Sequence, residues 1–282
     1  MLIPALRIGE RRGKIMRRTI IAAALVITAS AAHASSVTPD VIFGSGNANG
    51  GFTIDQGGGV EIGLRGKLRF DDNNAPQNIF NFAGTDSNGV GQYNFAAGAA
   101  PTGFGWDQNS PTTPIWSIDW SINSNFDSED SLGGVLNAFD YAFAIDGDPT
   151  AGTDFTKIFD PINVSGADHS IGTNATGNGG GLVDTANYAT LIGENNVAQN
   201  SLNFEFVNEI TDGLFLNQLE FFDPNTPGTY RIMLSAFEKG TSNVVARSEI
   251  DINVGAVPLP ATGLLLFGAL GALAFARRYK TA

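Results

Sequence analysis

The chain has 282 residues, with 28 acidic against 16 basic side chains, a formal net charge of −12 and no cysteine. An acid excess of this size repels nucleic acid and anionic lipid, which excludes nucleic-acid binding, and the lack of thiols excludes a disulfide framework and a cysteine nucleophile. Stability must therefore come from a packed core, and the length suffices for one substantial domain.

The first segment to carry a pattern runs from Met16 to Ala34. Arg17 and Arg18 form a basic start, Ile20–Ala29 an apolar middle, and Ala32-His33-Ala34 the small-residue pattern that a signal peptidase needs. The spacing predicts a secretory signal peptide over 16–34, cut after Ala34, with the Sec translocon and signal peptidase as partners. A complete signal begins at Met16, so Met1–Ile15 reads as a mis-annotated start extension. Arg17-Arg18 lacks the surrounding twin-arginine consensus and is read as an ordinary basic region. Between this leader and the basic C-terminal end, seven basic residues face 27 acidic ones, a net of −20. Such a surface favours solubility and cation binding.

Residues 35–255 read as a β-rich acidic ectodomain. Val60, Ile62, Leu64, Leu68 and Phe70 alternate with Glu61, Arg65, Lys67 and Arg69, the period-2 pattern of a half-buried strand. Trp116, Ile118, Trp120 and Ile122 repeat it, as do Phe139, Tyr141, Phe143 and Ile145 before an Asp146-Gly147-Asp148-Pro149 turn. Leu202–Phe206, Tyr230–Ala236 and Val244–Val254 follow, and no long, capped helical period interrupts them. Short strands divided by Gly, Asn, Asp and Pro predict an all-β fold, an antiparallel β-sandwich or jelly roll. Twenty phenylalanines, many on the apolar faces, would build the core. The Gly/Asn-rich stretches Gly44–Gly51 and Gly172–Gly181 are expected to be mobile surface loops.

Few residues offer chemistry. Asp168-His169-Ser170 holds three triad residue types, but adjacent residues rarely assemble a triad, and His169 is the only histidine downstream of the leader. Glu249-Ile250-Asp251-Ile252-Asn253 resembles the Glu-x-Asp-x-x-Glu strand of jelly-roll β-glucanases, which work through paired carboxylates; here Asn253 stands near the place of the final acid. A solvated strand face, with Glu249 and Asp251 opposite buried Ile250 and Ile252, explains the same residues. Trp106, in a Gly-rich loop, is the aromatic best placed for a carbohydrate-binding module. Asp146, Asp148 and Asp154, and separately Asp127 and Glu129, cluster hard oxygen ligands of the kind Ca²⁺ prefers, although Asp and Gly are also what turns require. No catalytic residue is assigned, and no cofactor is expected beyond this calcium.

The chain closes on 256–282, where Val257-Pro258-Leu259-Pro260-Ala261-Thr262 leads into an uncharged run, Gly263–Ala276, followed by Arg277, Arg278 and Lys280. As a helix the run approaches the ~30 Å bilayer core once 257–262 is included. The basic stop keeps that end cytoplasmic and leaves everything upstream outside. Pro258 and Pro260 hold the motif extended and open to a protease.

Val257–Ala261, the apolar run and Arg277-Arg278 resemble the VPLPA-type variant of the PEP-CTERM sorting signal. Leu259-Pro260-Ala261-Thr262-Gly263 also matches the LPxTG signal that Gram-positive sortases cut between Thr and Gly. The body is similar to proteins with the first tail in Asn49–Gly58, Glu61–Arg65, Tyr188–Ser201 and Phe222–Tyr230. That resemblance implies export by a Gram-negative bacterium, recognition by an exosortase, and release to the cell surface or exopolysaccharide matrix. It implies no catalytic activity.

Overall fold

A computed structural model describes residues 33–35, 37, 40–44, 47–69, 79–100, 113–127, 134–150, 152–155, 157–163, 169–203, 223 and 225–255. The leader up to Ala32, the sorting tail, Trp106, Glu129 and Asp168 lie outside them.

Among the described residues, twelve strands form two six-stranded sheets packed face to face. Sheet A is built from β1 (His33–Ser35), β2 (Phe52–Gly57), β3 (Val60–Leu68), β6 (Trp116–Asn123), β10 (Val197–Leu202) and β9 (Ser170–Gly172), in that spatial order. Sheet B runs β4 (Phe82–Thr85), β5 (Gly91–Phe95), β12 (Val244–Val254), β11 (Gly228–Glu238), β7 (Phe139–Ile145) and β8 (Lys157–Phe159). All neighbours pair antiparallel except β5 and β12, which run parallel with Ile252 opposite Tyr93, so sheet B is mixed rather than purely antiparallel. The β2–β3 hairpin follows from its turn: Gly58 and Gly59 both have positive φ (54° and 78°), as a two-residue loop that matches strand twist requires. A seven-residue helix, α1 (Tyr188–Glu194), precedes β10.

The alternating residues of β3, β6, β7, β11 and β12 meet between the sheets. Val60, Ile62, Leu64, Trp116, Ile118, Trp120 and Ile122 from sheet A face Phe143, Ile145, Tyr230, Ile232, Ile250 and Ile252 from sheet B in one continuous cluster. Trp116 packs on Phe95 and Tyr230, with ring centroids 6.4 and 6.0 Å apart. Each such side chain is worth about 1.5–3 kcal/mol of burial, which supplies the cohesion that disulfides would otherwise provide.

The sequence pattern fails on the other side of sheet A. Glu61, Arg65 and Lys67 were expected to face water, yet they are buried, and so are Ser117, Asp119 and Ser121 beside them. The cover includes the described residues between Val37 and Gly50, whose Val37, Val41 and Phe43 form a second small cluster with Phe52 of β2. This strap also answers the expectation of mobile glycine-rich loops. Gly179 and Gly181 donate backbone hydrogen bonds to Val41 O and Ile42 O, and Asn178 Nδ2 reaches Asn47 O at 2.7 Å, so the two stretches lock each other in place.

Candidate functional site

Sheet A's outer face carries the densest buried charge among the described residues. Arg65 on β3 lies opposite Asp119 on β6, and Lys67 is one step along the same face. Arg65 Nε donates to Asp119 Oδ2 at 2.7 Å, and Lys67 Nζ stands 3.0 Å from Asp119 Oδ1. The Arg65 guanidinium is held between the rings of Phe52 and Phe80, 4.1 and 4.0 Å from their centroids, while Lys67 lies over Phe43. Arg65 Nη1 donates to the strap carbonyls of Ala48 (2.9 Å) and Gly50 (2.7 Å). Burial alone would raise the Asp119 pKa, but Lys67 and Arg65 outweigh it and hold the carboxyl below its ordinary range. Burial pulls Lys67 down against the pull of Asp119. This is an ionised carboxylate clamped by two cations: it fastens the strap and offers no general base.

The acidic strand resolves in the same direction. Asp251 on β12 is buried and not on a solvated face, because Arg231 on β11 grips it with both Nε (2.8 Å) and Nη2 (2.9 Å), while Gln92 Nε2 donates to Oδ2. Asn253, near the third position of the glucanase-like pattern, donates to Gln92 Oε1 and Asn94 Oδ1 and accepts from Thr229. The β11–β12–β5 ladder thus uses Asp251 as an internal partner of Arg231. His169 is likewise enclosed. Its Nε2 donates to the Pro161 carbonyl, which leaves Nδ1 to accept from Asn200 Nδ2 at 3.3 Å, and its ring meets Trp120 edge-on at 4.7 Å.

Of the calcium candidates, Asp146 is buried at the end of β7 and accepts the backbone N–H of Asp148 on Oδ1 (3.3 Å) and of Asp154 on Oδ2 (3.0 Å). Burial raises its pKa, with Asp148 and Asp154 adding to the rise against those two bonds. Asp148 is turned to Thr150, whose N–H it accepts at 2.7 Å. Asp154 and Asp127 are exposed. Among the described residues no group of three or more His, Cys, Asp or Glu side chains converges as a metal would need, and the carboxylates of Asp146 and Asp148 close turns. Trp116, Trp120, Tyr93, Tyr141, Tyr188 and Tyr230 are all buried, so none of them forms a flat platform for a sugar.

The residues missed by sequence reasoning are Arg65, Lys67 and Asp119. Their signal was a basic pair on one strand and a lone acid at the same phase of another, which becomes meaningful only once β3 and β6 are known to be neighbours. No protein-family model, no curated protein and no solved structure matches this chain.

Proposed function

We propose that the chain is an exported, non-enzymatic protein of the cell surface or extracellular matrix of a Gram-negative bacterium, delivered by a VPLPA-type tail that an exosortase recognises. Its role is structural or adhesive within an exopolysaccharide layer. The observation that carries the reading is the order of the C-terminal segment: Val257–Ala261, the uncharged run Gly263–Ala276, then Arg277, Arg278 and Lys280. This segment follows β12 after only Gly255 and Ala256, so the address label is joined almost directly to a central strand of sheet B. The described domain supports the non-catalytic part, because Asp119, Asp251 and His169 each spend their polar atoms on internal partners. The leader at 16–34, the spanning helix within 256–282 and a jelly-roll order of strands belong to the same proposal.

A Pro258→Ala/Pro260→Ala variant tests it in the native host by fractionation. The wild-type protein is expected at the surface or in the matrix, with the variant held at the inner membrane. Equal distribution of the two, or wild-type protein in the cytosol, overturns the reading. A sortase-anchored wall protein, by the literal Leu259–Gly263 match, predicts instead that Thr262→Ala alone blocks release.

A further inference from the structure

The strap is fastened almost entirely by residues far from it in sequence. Gln199 on β10 accepts the Ile42 N–H (2.7 Å) and donates to Asp40 O (2.8 Å), Arg65 holds Ala48 O and Gly50 O, and the 178–181 turn holds Asn47, Val41 and Ile42. Among the described residues, local support comes from Asn49, which accepts the Val41 N–H and donates to Asp40 Oδ1, and from Asn47, whose side chain donates to Phe43 O and Gly44 O and whose N–H also donates to Gly44 O. Two connections tie this docking to its own domain: the antiparallel pairing of β1 (His33–Ser35) with β2 and, at the other end, the joint between strap and β2. That joint is Gly50-Gly51, with successive φ of 92° and 74°, a conformation that side chains resist. A Cβ at Gly51 would also meet the Phe80 ring at 2.7 Å.

On the proposed cut after Ala34, on which this inference rests and which would take His33 and Ala34 out of the β1–β2 pairing, the strap becomes a free end that can leave its seat without threading. Opened at the joint, its roughly 14 residues reach on the order of 45–50 Å, well beyond the ~10 Å between packed sheets. The contacts of the strap with its acceptor are the same whichever copy supplies it, so concentration and the joint's conformation decide between one copy and two. We propose that the outer face of sheet A is an acceptor for the strap of a second copy of this chain, and that the protein assembles through strap exchange. Arg65, itself paired to Asp119, and Gln199 hold the incoming backbone, while Lys67 meets the incoming Phe43 ring and Phe52 packs against the strap's apolar side chains. The inference concerns the folded domain and stands or falls independently of the sorting tail.

The test uses residues 35–255, which contain both sheets and both clusters, refolded at low and at several-hundred-micromolar concentration and sized by light scattering. The wild type is expected to yield a dimer fraction that grows with refolding concentration. Gly50→Ala disfavours the φ of 92° that the closed joint requires and is expected to raise the dimer-to-monomer ratio by roughly fivefold or more. Monomer at every concentration for both proteins overturns the proposal, and so does a dimer that survives deletion of residues 35–49. The wild-type arm decides the matter even where the alanine variant folds poorly.

Discussion

Replacing Arg65 by Met removes the cation at the centre of sheet A's outer face while keeping most of the side-chain volume. Three losses follow: the 2.7 Å pair with Asp119, the two hydrogen bonds to Ala48 O and Gly50 O, and the stacking between Phe52 and Phe80. Breaking a buried ion pair from one side costs about 3–5 kcal/mol. Lys67 remains 3.0 Å from Asp119 and offsets part of the exposed charge, so the lower half of that range is expected. Against a typical domain stability of about 5–15 kcal/mol, this is a large fraction. Urea unfolding followed by the fluorescence of the buried Trp116 and Trp120 measures it. A double-mutant cycle with deletion of residues 35–49 separates the strap's share. Because Arg65 holds strap carbonyls directly, the two changes should couple by about 1–3 kcal/mol. A loss below about 1 kcal/mol for Arg65→Met, or strict additivity with the deletion, refutes the claim that this arginine clamps the strap.

Asp119 titrates below the ordinary carboxylate range, so its contribution is present above the unfolded-state pKa of about 4 and fades as pH falls through the folded value. The stability gap between wild type and Asp119→Asn should therefore be full near neutral pH and close in strong acid, and a gap unchanged at low pH would contradict the ionised assignment. Gly66 faces the opposite sheet, where a Cβ would stand 2.6 Å from Ile252 and 2.8 Å from Phe95; Gly66→Ala is expected to cost about 1–3 kcal/mol by thermal unfolding, and a neutral result would mean the sheets are packed less closely there. Calorimetric titration of residues 35–255 with CaCl₂ is expected to give no heat and no rise in Tm, because Asp146 is engaged by backbone donors; saturable heat lost in Asp146→Asn would reinstate a calcium site. Asp251→Asn should weaken stability by about 1–3 kcal/mol through Arg231, and a loss of any glycan hydrolysis in that variant without a fall in stability would point to catalysis.

The inner faces were legible because they depend on period alone. Trp116-Ile118-Trp120-Ile122 and Ile250-Ile252-Val254 alternate with polar residues, and the structure buries all of them. β12 occupies Val244–Val254, the bounds its pattern predicts. Alternation cannot say what lies on the far side of a strand, however. Arg65 and Lys67 look like a solvated face until Asp119 is known to lie opposite and the strap to close over them. Nor does it carry direction, so the parallel β5–β12 pair had no sequence signal, and the three-residue strands β8 and β9 are too short to show a period. Glu249-Ile250-Asp251 was read correctly as a strand. The burial of Asp251 came from Arg231, on a neighbour whose register the pattern does not fix.

Intact-mass determination of the protein recovered from the host's surface fraction bears most directly on the account as a whole. It predicts an N-terminus at Ser35 and a C-terminus within the Val257–Ala261 motif. A mass ending at Ala282 would make the tail a plain membrane anchor, and one ending at Thr262 would assign it to a sortase. Either result contradicts exosortase-type delivery.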